Sequence, residues 1–261
     1  MGGVGSTELA SAVADAGGLG MVPNGTEPGA RPCGVNFLVP FVPSLEEITA
    51  TASQVPVIEF FYGEPRADLV NAARAGSAAV GWQVGSGAEA AAAELAGCDY
   101  VVAQGTEAGG HVRGRLPLQA VLAEVRDSVR IPIVAAGGIA TAEHVLAAMR
   151  SGADAVRVGT RFVTCPESGA HPDYIARLLA ASAEDTILTE WYGDGWPDAP
   201  HRVLRSALDA AQASGWRGTV PPHREVDRPP GDMAMYAGTG VGDVRKSEPA
   251  ADVVRDLVRL L

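Results

Sequence analysis

The chain has 261 residues, of which 47% are hydrophobic, 5% aromatic and 32 are glycines, and its formal net charge is −11. That length suits one large domain or two small ones with a sizeable core. The acidic balance argues against nucleic acid and anionic membranes as partners, yet leaves a small anionic ligand open to backbone N–H groups. Cys33, Cys98 and Cys165 are scattered, with neither metal spacing nor a disulfide framework. No segment has the charge-free apolar length of a membrane span, and the N-terminus lacks a leader pattern. The expectation is a reduced, cytoplasmic protein with no metal site.

In chain order, the stretch from Met1 to Ser6 reads as a glycine turn entering a helix capped near Ser6 and stopped at Gly17-Gly18. The chain thus opens on a βα loop with no strand before it. Short strands are expected over Leu19–Val22, Gly34–Val39, Pro56–Phe61, Ala78–Val84, Asp99–Gln104, Pro132–Ala136 and Ala155–Gly159. Helices alternate with them, starting at Ser44, Arg66, Ala88, Leu118 and Thr141. The strands are continuous apolar runs, the pattern of strands covered on both faces. A weak repeat supports the reading: Ala75-Gly76-Ser77, Ala96-Gly97-Cys98 and Ser151-Gly152-Ala153 each end a helix on a glycine before the next strand.

Seven strands alternating with helices point to an α/β fold, a (β/α)8 barrel that lacks its first strand. The missing strand is expected immediately before Met1, which a mis-assigned start codon would explain. A doubly wound open sheet with a helical tail is the second architecture. After Gly159 the pattern changes. Helices are expected over Pro172–Ala183, Arg202–Ala213 and Ala250–Leu261, with a turn-rich loop over Trp191–Pro200 and a small-residue loop over Met235–Gly242. Residues 165–242 read as an elaboration over the barrel mouth, and 243–261 as a terminal helix, all within one domain.

Three glycine clusters follow strands: Gly109-Gly110, Gly137-Gly138 after Ala136, and Gly159-Thr160. In a barrel these loops share the C-terminal face, and loops after the last two strands commonly bind phosphate. Gln104 stands at a strand tip, and His111 follows a loop of little bulk that lets a flat ligand approach the backbone. Histidine there can move protons near neutral pH. A polar βα turn with a solvated histidine would use the same residues.

Three segments carry a family resemblance: Ala103-Gln104-Gly105-Thr106-Glu107-Ala108-Gly109-Gly110-His111, Pro132–Ile139 with its Ala136-Gly137-Gly138-Ile139, and Ala155–Phe162. Together they resemble the nitronate monooxygenases, formerly 2-nitropropane dioxygenases. Gly34-Val35-Asn36-Phe37, Met235-Tyr236-Ala237-Gly238 and Met1-Gly2-Gly3 are similar to the same family. FMN-dependent enoyl-acyl-carrier-protein reductases share the first two motifs. Thr239 departs from the glutamine common in the family, and the stretch between Val22 and Gly34 is too short for the family's usual helix.

The resemblance implies a TIM barrel holding FMN. By it, Ala136, Gly137, Gly138, Gly159 and Thr160 would form the phosphate site, and Asn36 and Gln104 would contact the flavin or ribityl groups. Gly2 and Gly3 would pass close to the flavin ring, as would Gly109 and Gly110, while Tyr236 and Gly238 close over the cofactor. His111 would be the proton-transfer residue on the substrate side. The implied activity is oxidation of alkyl nitronates, and of nitroalkanes, with molecular oxygen. Two other readings stand beside it. One is an NAD(P)H-dependent flavin reductase of the enoyl-acyl-carrier-protein or quinone reductase type. The other is a degenerate, non-catalytic flavin-binding barrel. A homo-oligomer is compatible with the sequence.

The remaining candidates each have an ordinary alternative. Glu107 either tunes His111 or is solvated. Arg113 and Arg115 either meet an anionic substrate or are solvated. Trp191 and Trp196 either wall the pocket or pack the elaboration. His144, His171 and His201 are expected on the surface or in loops.

Overall fold

The structure is a computed structural model that describes residues 4–27, 29–228 and 230–261. The two glycines of the first loop, Gly2 and Gly3, lie outside the described residues.

Ser6 caps α1 (Thr7–Asp15), its hydroxyl accepting the Leu9 N–H at 3.0 Å. The chain then alternates: β1 (Gly20–Pro23), β2 (Cys33–Leu38), α2 (Leu45–Ala52), β3 (Val57–Phe61), α3 (Ala67–Ala75), β4 (Ala79–Val84), α4 (Gly87–Leu95) and β5 (Tyr100–Gln104). A two-residue strand, β6 (Gly110–His111), precedes α5 (Leu118–Ser128), β7 (Ile133–Ala136), α6 (Ala142–Arg150), β8 (Ala155–Arg157) and the short α7 (Thr160–Val163). Side chains of Ser44, Ser86 and Thr141 cap α2, α4 and α6 by accepting N–H groups of the first turn.

Seven strands pair in parallel in the order β1-β2-β3-β4-β5-β7-β8. The order never reverses, so there is no switch point of the kind a doubly wound sheet has. Among the described residues β1 and β8 are the free edges, and no eighth strand closes the sheet. The sheet is nevertheless curled. Arg157 on β8 forms an ion pair with Glu59 on β3. Four strand spacings separate them, about 19 Å in a flat sheet, far beyond the reach of two side chains.

The two faces differ in chemistry. Outward residues such as Val35, Phe37, Ile58, Phe60, Trp82, Val101 and Ile133 join the main core beneath the helices. The inward face carries Glu59, Gln83, Tyr100 and Arg157. Tyr100 Oη donates to Glu59 Oε1 at 2.8 Å, and Arg157 Nη1 donates to Gln83 Oε1 at 3.3 Å. Such lumens are usually filled by branched apolar residues; here a polar cluster fills part of this one.

Beyond α7 come α8 (Pro172–Ala180), β9 (Thr186–Thr189), β10 (His201–Leu204), α9 (Arg205–Ser214) and α10 (Ala250–Leu257). The helix expected from Arg202 therefore starts at Arg205. The residues before it form a strand because β9 on one side and β6 on the other supply ladder partners. The terminal helix likewise ends at Leu257 rather than Leu261, its last turn fraying where Leu260 and Leu261 become exposed. The three cysteines are buried and free, as core fillers.

The Glu59–Arg157 pair sets a stability prediction. Glu59→Ala leaves Arg157 uncompensated and should cost about 2 kcal/mol in urea denaturation, less than for a fully buried pair, because the Arg157 side chain keeps 24% exposure. The double variant Glu59→Leu with Arg157→Met should lose less than Glu59→Ala alone. A larger loss in the double variant would show that the pair is not acting as a unit.

Candidate active site

The C-terminal strand ends bring the expected loops together. A Cβ on Gly109 would lie 2.5 Å from the Gly238 nitrogen, so these two backbones touch only because neither carries a side chain. Gly238 N–H donates to Thr160 Oγ1 at 2.9 Å, and Thr239 N–H donates to the Glu107 carbonyl at 3.0 Å. Ala136 ends β7, and its carbonyl accepts the Gly105 N–H at 2.9 Å. The segments around Gly109, Gly138, Thr160 and Gly238 thus form one cluster at the mouth.

An anionic group such as the FMN phosphate suits this cluster on local grounds. Gly137 and Gly138 have φ of +120° and +69°, backbone conformations that L side chains rarely adopt. A Cβ on Gly159 would meet nothing within 4 Å, so that backbone borders open space. Among the described residues, the N–H groups of Gly138, Gly159 and Thr160 donate to no backbone acceptor outside regular elements. Small side chains, open space and unengaged donors are what a phosphate site requires.

Other expected residues are placed differently. Gln104 is buried, and its amide ties down the next segment: Nε2 donates to the His111 carbonyl at 2.9 Å, and Oε1 accepts the Arg113 N–H at 3.1 Å. Asn36 sits on β2 in register with Glu59, on the inward face. Glu107 neither tunes His111 nor is free in solvent, because its carboxylate accepts the Leu118 N–H at the start of α5. Arg113 is ion-paired with Glu64 and Glu89 at 2.6 and 2.8 Å, which anchors the segment after His111.

His111 lies in an aromatic surround. Its ring stacks on Trp196 with centroids 3.9 Å apart and planes 19° apart. Tyr62 approaches edge-on at 5.8 Å and Tyr236 lies at 5.7 Å. Tyr236 is itself fixed, its hydroxyl donating to the Thr219 carbonyl at 2.6 Å and its carbonyl accepting from Tyr174 Oη. Phe41 meets Trp196 at 5.2 Å, so the elaboration touches the loops after β2 and β3 through this indole. Gly110, at φ +78°, leads into His111 as its partner in β6.

His201 corrects an expectation. It is not a loop residue but is fully buried on β10, directly opposite His111 in the antiparallel ladder. The ring centroids are 5.1 Å apart. Nothing in the local sequence marked it, because its partner strand lies about ninety residues earlier. Tyr62 and Phe41 were also missed; their signal was their place just past strand ends. His144 accepts the Ala140 N–H at 3.4 Å through Nδ1, and His171 accepts the Asp173 N–H, so both serve as local turn and cap groups.

Burial, followed by the neighbouring His201, pushes the His111 pKa down to about 3. Burial also lowers His201, opposed by its hydrogen bond to the Ala199 carbonyl and by Glu190. Both rings are therefore neutral at pH 7.

Comparison with known proteins identifies the family of the chain. A family model described as nitronate monooxygenase matches residues 32–208. The nitronate monooxygenase of Pseudomonas aeruginosa is 34% identical over 230 residues, covering 78% of this chain and 63% of that protein. The chain thus spans less than two thirds of that relative, and its match to Staphylococcus aureus relatives takes in 42% of their length. Among solved structures, FabK from Thermotoga maritima is similar with a TM-score of 0.87 at 29% identity, over 99% of this chain and 89% of that one. Nitroalkane oxidase from Streptomyces ansochromogenes has a TM-score of 0.80 at 29% identity, over 99% and 92%. Fold and mouth together define a curled parallel α/β protein of the TIM-barrel type. The chain belongs to the nitronate monooxygenase family.

The depressed His111 pKa has a consequence for stability. The unfolded chain protonates this histidine near pH 6.5, whereas the folded chain holds it neutral down to about 3. The unfolded state binds more protons in that window, so stability falls as pH drops through it. Denaturant midpoints should decline from pH 7 to pH 5, and His111→Phe should make the decline shallower. An equally steep decline in the variant would contradict the assignment.

Proposed function

We propose that the chain binds FMN at this mouth and oxidises alkyl nitronates, and nitroalkanes after deprotonation, with oxygen as acceptor. The reading is carried by one juxtaposition: a phosphate-type glycine cluster beside a half-buried, neutral histidine at the same strand ends. Family membership and the likeness to nitroalkane oxidase support the substrate class. Gly137, Gly138, Gly159 and Thr160 would hold the phosphate by their N–H groups. Gly110 would leave room for the flat ring system, with Asn36 at its polar edge, while Gln104 is committed to the backbone of the segment after it. Tyr236 and Gly238 would cover the cofactor.

FMN, when bound, supplies the electron-accepting chemistry, and the protein supplies binding and orientation. His111 is the proton-transfer residue. Kept neutral by burial, it retains a lone pair for the α-proton of a nitroalkane. Trp196 packs against one face of its ring, and the Gln104 amide fixes its backbone. Phe41, Tyr62 and Trp196 make the surround apolar, which excludes water and favours a short alkyl chain. A nitronate arrives already deprotonated and needs no base. The likeness to FabK supports a reductase as the second reading, although no Gly-x-Gly-x-x-Gly loop follows a strand.

Anaerobic mixing of the FMN-loaded protein with a small alkyl nitronate should bleach the flavin's visible band. An unchanged band, with flavin demonstrably bound, would move the assignment to the reductase, and NADH would then be added. His111→Ala should lower the ratio of nitroalkane to nitronate kcat/KM by about a hundredfold or more. An unchanged ratio would refute His111 as the base.

A further inference from the structure

A half-buried base of the kind proposed for His111, with one ring nitrogen sealed from solvent, has a difficulty of its own. Taking up a proton creates an imidazolium in an apolar surround, and both of its N–H groups then need acceptors. His111 Nε2 is sealed from solvent and has no partner among the described residues. His201 Nε2 is in the same condition. Unsatisfied buried polar atoms are uncommon and each calls for an explanation. Here two occur on neighbouring rings.

The tautomer of His201 follows from its other nitrogen. Nδ1 lies 2.8 Å from the Ala199 carbonyl, which can only accept, so Nδ1 carries the proton. Nε2 of a neutral His201 is then a bare lone pair. The backbone register puts this ring directly opposite His111, with a centroid separation of 5.1 Å. A roughly linear N–H···N hydrogen bond of about 3 Å between two imidazoles places their centroids about 5 Å apart. The spacing is already right, and only ring rotation within the aromatic surround is needed to form the bond.

We propose that His201 is the positioning residue of His111: its bare Nε2 accepts the Nε2–H of His111, which leaves His111 Nδ1 as the nitrogen that receives the substrate proton. The proposal rests on the reading of His111 as the base. In the step itself the α-C–H bond of the nitroalkane breaks, its electron pair stays on the nitronate, and the proton goes to Nδ1. The Nε2–H remains donated to His201 throughout, so the imidazolium is formed with its second donor already satisfied. The arrangement follows the logic by which a second group orients a catalytic histidine and selects its tautomer. Here a second histidine, itself fixed by a backbone carbonyl, replaces the usual carboxylate. A neutral partner also keeps net charge out of the buried site at rest.

The test uses the FMN-loaded enzyme with ring-15N histidine. The tautomer of His111 is read by NMR in the wild type, in His201→Phe, which keeps the ring but lacks the lone pair, and in His201→Gln, whose amide oxygen restores an acceptor. The wild type should show His111 protonated at Nε2, and His201→Phe should show mixed tautomers. His201→Phe should also lower the nitroalkane-to-nitronate kcat/KM ratio at least tenfold, with His201→Gln recovering it to within about threefold. A wild-type His111 unprotonated at Nε2 would overturn the proposal without any variant. So would a His201→Phe enzyme with unchanged ratio and tautomer, or one that loses both substrates equally and is not rescued by glutamine. If the wild type turns over neither substrate, the functional reading fails, and the tautomer alone decides the role of His201.

Discussion

Seven parallel strands paired in sequence order, with no reversal, are the constraint on which this molecule depends. From β2 onward each crossover carries a helix on the same face, so the other face is left to itself and must be buried by curling. Curling carries the C-terminal ends of β5, β7 and β8 toward one another and toward those of β2 and β3. The glycine loops after β5, β7 and β8 meet for this reason, although 50 residues separate Gly109 from Gly159.

What holds the curl from inside is partly polar. Glu59 and Arg157 meet across the lumen, with Tyr100 and Gln83 as hydrogen-bond partners. A buried ion pair gains little net stability over a well-packed apolar pair, because desolvation offsets the Coulomb attraction. Its effect is on specificity: only one curvature and one register let a β8 arginine reach a β3 glutamate. The remaining cohesion comes from the outward core, where Phe60 packs against Phe37 and Trp82 with centroids 5.8 and 5.0 Å away. Apolar burial sets the magnitude of stability there, and the polar lumen sets geometry.

The strands and their loops were legible because they depend on local pattern. Continuous apolar runs, cap residues such as Ser86 and Thr141, and glycines after strand ends each act within a few residues. The glycine clusters could be placed on one face because barrel topology converts sequence order into spatial position. Residues whose meaning lies in a distant partner were not legible. Glu59 is one acid in the run from Val57 to Phe61, and Arg157 is one base in another. Neither suggests the other across nearly a hundred residues. His201 beside Pro200 has the look of a loop residue until β10 is paired to β6. The start of α9 moved for the same reason, since a ladder with β9 overrides helical pattern in Arg202-Val203-Leu204.

The β6–β10 pairing also explains why the elaboration belongs to the mouth. Main-chain hydrogen bonds fix two strands more rigidly than side-chain contacts between loops could. Through them His201 is held opposite His111, while the Arg202 guanidinium donates to the Thr106 carbonyl at 2.8 Å within the glycine loop itself. Trp196, six residues before Arg202, is thereby carried onto the His111 ring. A segment joined only by side chains could move away without disturbing His111. This one shares a sheet with it, so opening the mouth and disturbing the histidine are the same motion. Access to His111 must then come from rotation of side chains such as Trp196, not from displacement of the whole segment.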